Sequence, residues 1–134
     1  MARPICKLEI WRTEQIAQCA RLDNGSCLLR TLGQPAGITV IPASVLLDDS
    51  QGEHNVWSKR LTFDVTDRGN VQRLLDLLGR HYLVAVYTDE HNVRRVCGSM
   101  RYPLQLTTST GRGRISCQLS GTSEYPDPEL MVGV

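Results

Sequence analysis

Five cysteines, three histidines, two pairs of adjacent carboxylates and an arginine-rich C-terminal half are the residues of this chain that could do chemistry. Cys6, Cys19, Cys27, Cys97 and Cys117 are odd in number and widely spaced. There is no Cys-x-x-Cys, and no cysteine lies within a few residues of a histidine. Neither a zinc site nor a full disulfide framework is therefore expected. Cys6 alternates with Leu8 and Ile10, and Cys117 with Ile115 and Leu119, so both read as small buried hydrophobes. Reduced thiols fit cytoplasmic synthesis. His54 falls in a polar loop, His91 in a turn, and His81 between a helix and a strand, where it packs or caps. A nucleophilic Ser or Cys needs a base that a third group orients, and neither a Gly-x-Ser-x-Gly elbow nor a cysteine motif is present.

Asp48-Asp49 and Asp89-Glu90 are adjacent carboxylates, a spacing that makes no acid–base dyad on a strand and a solvated pair on a loop. Gly111-Arg112-Gly113-Arg114 could offer backbone N–H groups and guanidiniums to a phosphate. It precedes a strand, matches no P-loop, and reads as a solvent-facing hairpin tip. Arg94, Arg95, Arg101, Arg112 and Arg114 are the candidate interaction residues, able to form a basic patch if two hairpins are neighbours. Tyr87 and Tyr102 are available for stacking but form no RNA-recognition signature, and aromatics are only 5% of the chain. The expected chain is non-enzymatic, with no catalytic residue, cofactor or metal.

Fifteen basic and 14 acidic residues leave a net charge of +1, too small a field to favour nucleic acid or an anionic membrane. Only Lys7 and Lys59 are lysines; the other basic residues are arginines. Arginine's forked hydrogen bonds suit protein interfaces, and a GC-rich genome accounts for the bias equally well. No leader is readable at the start of the sequence, and no apolar run approaches the roughly 20 residues that span a bilayer. Asn24-Gly25-Ser26 matches the glycosylation pattern but reads as a turn.

The elements that must position these residues centre on Trp57–Leu106. Leu61, Phe63 and Val65 alternate with Arg60, Thr62 and Asp64, which is a strand with one apolar face. Thr66 and Asp67 offer caps for a helix over about 67–78. Val71, Leu74, Leu75 and Leu78 form its stripe, and Gly79 ends it by taking positive φ. Leu83–Tyr87 is a continuous apolar run that suits a strand covered on both faces. Thr88–Asn92 turns, with Asn92 left-handed, and Val93–Cys97 returns. Tyr102–Thr107 and Arg114–Ser120 form a hairpin around a polar 108–113 turn.

Earlier in the chain, Ile5–Trp11 is a strand. In Thr13–Arg21, Ile16, Cys19 and Ala20 share a helical face, but an extended segment is favoured, closing a hairpin at Asp23-Asn24-Gly25 with a strand at Cys27–Thr31. Ile38–Ile41 and Val45–Leu47 are short extended pieces, and 48–55 is an exposed loop. Trp11 and Trp57 read as packing residues. Pro126 and Pro128 break the tail; its apolar end Leu130–Val134 either docks on a neighbouring subunit or is disordered, as part of a disordered tail over 124–134.

Three segments together carry a resemblance: Val56–Val65, Tyr82–Leu106 with its turn at Asp89–Asn92, Gly98-Ser99 and Pro103-Leu104, and Ile115–Pro128. In this order they resemble small virion or tail structural proteins encoded by phages and prophages of Bacteroides-type bacteria. The first fifty residues match only loosely, and Asn92-Val93 stands where that group commonly has Gly. The resemblance implies a structural or tail-assembly protein that meets its own copies or other phage structural proteins and associates with the virion after synthesis in the bacterial host. It brings no catalytic residues. The alternative is a small ligand- or nucleic-acid-binding module using the arginine-rich half.

A chain of 134 residues at 41% apolar content makes one domain over 1–134. The expected fold is α+β: one helix on a mostly antiparallel sheet or partial barrel of about seven to nine strands. Several of those strands should be edges, open to strand addition between copies.

Overall fold

The computed structural model describes residues 2–4, 7–22, 24–41 and 44–131. Cys6, Ile5, the Asp23 corner of the hairpin turn and the apolar end 132–134 lie outside the described residues. The fold is α+β, mostly antiparallel, with one α-helix among the described residues.

A middle sheet organises it. β2 (Lys7–Arg12), β7 (Leu83–Thr88) and β8 (Arg94–Cys97) pair in the order β2-β7-β8. Every residue of β7 is buried, because its two faces pack into different cores. Leu83, Ala85 and Tyr87 face one core together with Ile10 and Cys97. Val84 and Val86 face the other, with Trp11 and Val96. That is why the run lacks polar alternation: period two distributes apolar residues to both sides.

The first core is closed by a five-stranded sheet. It comprises β1 (Ala2–Pro4), β5 (Leu46–Gln51), β6 (Trp57–Thr66), β9 (Gln105–Thr110) and β10 (Arg114–Ser123), in the order β1-β5-β6-β10-β9. Leu61, Phe63 and Val65 of β6 point inward beside Ile115, Cys117 and Leu119 of β10, as their alternation predicts. The second core is closed by β3 (Ile16–Arg21), β4 (Cys27–Thr31) and β11 (Leu130–Met131), in the order β11-β4-β3. The β11–β4 pairing is parallel. The β3–β4 hairpin turns at the expected Asn24-Gly25, with Gly25 at φ 86°.

Several boundaries differ from the sequence reading. The helix, α1, spans Val71–Leu78, not 67–78. Thr66 is still strand, and Gly69 takes φ 61°, which no helical turn can include. Leu75 and Leu78 are buried, but Leu74 is 39% exposed and turned outward with Leu77. Gly79 is right-handed at φ −64° rather than left-handed. A Cβ there would meet the Leu75 carbonyl at 3.4 Å and the Leu106 carbonyl at 3.6 Å, ordinary van der Waals distances, so neither backbone conformation nor crowding requires the glycine. Asn92 is left-handed as expected, at φ 62°.

Residues 48–51 are strand, not loop. Asp48, Asp49 and Ser50 pair across from Arg60, Lys59 and Ser58, so complementary side chains stabilise a polar stretch that alternation alone would miss. Ile38–Ile41 forms no strand; Val40 makes a single bridge to Val65. β9 is shifted three residues along from the expected Tyr102–Thr107, which narrows the turn to 111–113, and β10 continues three residues past the expected Ser120 to Ser123. Backbone hydrogen bonds hold the 128–129 stretch between two sheets. Val96 N–H donates to the Pro128 carbonyl at 3.0 Å, and Cys27 N–H to the Glu129 carbonyl at 2.8 Å. This strap therefore ties the middle sheet to the β3–β4 sheet.

Candidate functional site

The five candidate arginines do not converge. Arg94 reaches Glu9 at 3.0 Å across the middle sheet. Arg114, at the start of β10, lies 3.5 Å from Asp64. Arg101 stacks over Tyr102 with its guanidinium carbon 5.4 Å from the ring centre. Arg112 is exposed at the β9–β10 tip. Arg95 turns back on its own chain: its Nε donates to Asp89 Oδ2 and its Nη1 to the Asp127 carbonyl, each at 3.1 Å. Asp89 in turn accepts the backbone N–H groups of His91 and Val93 at 2.9 Å through Oδ1, which locks the β7–β8 turn.

Arg95 points to a cluster that the sequence reading missed. β6 carries Lys59 in register with Leu61, Phe63 and Val65, so its side chain enters the interior. There its ammonium meets Asp127 Oδ1, and both side chains are only 2% exposed. The Tyr87 hydroxyl donates to Asp127 Oδ2 at 2.6 Å. Cys97 is fully buried; burial, then the charge of Asp127, hold its thiol well above the usual thiol range. The Tyr125 ring lies between two cations, 4.2 Å from the Arg21 guanidinium and 6.0 Å from Lys59 Nζ.

Three elements build this cluster. β6 supplies the lysine, the buried middle sheet supplies Tyr87 and Cys97, and the strap supplies Asp127. Pro126 and Pro128 flank Asp127, so the aspartate is held on a stiff segment that has no ladder to join. A signal for Lys59 was present: extending period two back from Val65, Phe63 and Leu61 lands on it. No comparable periodicity marks Asp127.

The other reactive groups stand apart from this cluster. Cys19 and Cys27 face each other diagonally across the β3–β4 hairpin with sulfurs 3.8 Å apart. The Cys27 hydrogen bond brings the Cys19 thiol down to about 7, and the same bond, with burial, pushes Cys27 up. His81 Nδ1 is 4.0 Å from Glu14, and His91 is exposed beside Glu90. Among the described residues no group of three or more His, Cys, Asp or Glu is placed to hold a metal ion. No helix of the described residues is long and apolar enough to cross a membrane.

On the outside, α1 and the segment before β5 frame a groove of about 240 Å³. Pro35, Ala36 and Ile38 line it opposite Leu74 and Leu77, with the polar Arg12, Gln15 and Gln34 also in its lining. Leu74 and Leu77 are 39% and 46% exposed. Of the strands that end sheets, β8 has the strap along its far side. β9 carries neither charge nor proline, two common devices that blunt an edge.

Comparison with protein-family models, with curated proteins and with solved structures finds no match to this chain.

Proposed function

We propose that the chain is a non-enzymatic structural protein that works through contacts with other polypeptides, of the phage virion or tail-assembly class that its segments resemble. The observation that carries this reading is the second apolar stripe of α1. Leu75 and Leu78 satisfy the core, so Leu74 and Leu77 are not needed there, yet they line a mainly apolar groove in contact with water. Contiguous exposed apolar surface of this kind is a cost to a lone monomer and an asset at an interface. The uncharged end strand β9 is consistent with assembly between copies or with other tail proteins. Nucleic-acid binding has less support, because Arg94, Arg95 and Arg114 each already face a carboxylate.

Light scattering coupled to size exclusion at high concentration tests the proposal. The wild-type chain is expected above monomer mass, or bound to phage tail proteins. The Leu74→Glu/Leu77→Glu variant is expected to lose that association while keeping its far-UV spectrum. A strictly monomeric wild-type chain that also ignores tail proteins overturns the reading. Affinity for DNA or RNA that falls steeply with salt, and vanishes when Arg94, Arg95 and Arg112 are changed to Ala, favours the binding-module alternative.

A further inference from the structure

Lys59 and Asp127 lie 68 positions apart in sequence and touch in the interior. We infer that in the folded chain they join spontaneously, forming an amide between Lys59 Nζ and Asp127 Cγ.

The choice of residue is the first argument. A buried ion pair is best served by arginine, whose fork satisfies both carboxylate oxygens and whose charge is more weakly hydrated. This chain uses arginine almost everywhere, with Lys7 and Lys59 its only lysines. One of those two occupies the interior position against a carboxylate. Lysine does there what arginine cannot: once it gives up a proton, its amine is a nucleophile.

The surroundings are the second argument. With both side chains 2% exposed, the pair is sheltered from the water that would solvate its charges and hydrolyse an amide. The ion pair keeps two charges in the interior, whereas the amide keeps none, so bond formation relieves the desolvation cost. Asp49 stands opposite Lys59 in the β5–β6 register but is half-buried, so Asp127 is the sheltered acceptor.

The partners of the two oxygens are the third argument, because they divide the work. Lys59 Nζ contacts Oδ1, so its ammonium can pass a proton to that oxygen. The freed amine then attacks Cγ. Negative charge develops on Oδ2, where the Tyr87 hydroxyl already donates at 2.6 Å, in the position of an oxyanion donor. As the tetrahedral adduct collapses, Oδ1 takes a second proton from the nitrogen and the Cγ–Oδ1 bond breaks. One water leaves, one N–H remains on the amide, and no oxidant, metal or co-reactant is consumed. Holding the two groups in contact makes a bimolecular condensation unimolecular.

The intact mass of the denatured full-length chain, read after the folded protein has stood for a prolonged period, tests this. The expected mass is lower than the sequence mass by one water, and digestion should yield a branched peptide joining the Lys59 and Asp127 segments. Lys59→Arg should restore the full mass. Asp127→Asn should reach the same final mass as the joined wild type, because ammonia replaces water as the leaving group and the product is identical. That coincidence would not arise from dehydration elsewhere. Tyr87→Phe, checked for folding by circular dichroism, should form the bond about a hundredfold more slowly and leave a population at full mass. A folded wild-type chain that stays at its full sequence mass overturns the inference, as does a water loss that maps to any other pair of residues.

Discussion

At Asp127 a single residue serves three partners. Its carboxylate takes Lys59 and Tyr87, and its carbonyl takes Arg95. Relative to the unjoined chain, removing that carboxylate in Asp127→Ala strands the Lys59 charge in the interior, and the expected loss is about 3–5 kcal/mol in urea unfolding. Replacing both partners with apolar residues of similar size, as in Lys59→Met/Asp127→Leu, should recover most of it. Asp89 gives a second test at this scale, through pH. Burial pushes its carboxyl up, but the Val93 and His91 N–H groups and the Arg95 guanidinium outweigh burial and leave it below the ordinary 3.8. A depressed carboxyl contributes stability that is present above the unfolded value and lost as pH falls through the folded one. The thermal-midpoint gap between wild type and Asp89→Asn should therefore be full at neutral pH and shrink once pH drops below 3.8. Little of this was readable beforehand. Lys59 fits an alternation that was visible, but a lysine among leucines reads naturally as a strand's frayed end. Asp127 sits between prolines in a stretch that reads as a tail, and its partner is 68 positions away.

Among the elements, α1 separates what periodicity can and cannot decide. The spacing of Val71, Leu74, Leu75 and Leu78 located the helix, and the buried Leu75 and Leu78 confirm the inward side. The stripe is broader than the surface it covers, however, and only packing tells Leu75 from Leu74. Leu75→Ala should cost about 2–5 kcal/mol in denaturant unfolding, whereas Leu74→Ala should change stability by no more than about 0.5 kcal/mol. Equal losses at the two positions would mean that the orientation of the helix is wrong. β6, β7 and the β9–β10 hairpin were legible because each lies wholly within one regime, alternating or uniformly apolar. β5 was not, since its Asp48, Asp49 and Ser50 owe their strand to partners on β6 and not to their own propensity.

For the whole molecule, the sequence implied one β-rich body but not three sheets around two cores. The double burial of β7 hinted at material on both faces. It could not say that the second layer is the β3–β4 hairpin, or that the strap closes it. Deleting residues 124–134 removes Asp127, the β11 pairing and the two hydrogen bonds to the middle and second sheets. The shortened chain is expected to lose cooperative unfolding and to be digested by protease at least tenfold faster, because its open form is then far more populated. A truncated chain that melts sharply near the wild-type midpoint would show that the strap is dispensable.

The position of Asp127 late in the sequence also sets an order of events during synthesis. β6 emerges from the ribosome long before the residue that neutralises its lysine, so the nascent chain must wait with an unmatched charge at its centre. Any product halted before Asp127 keeps that defect permanently and stays open to cellular proteases. The interior pair is thus complete only once the strap has been made.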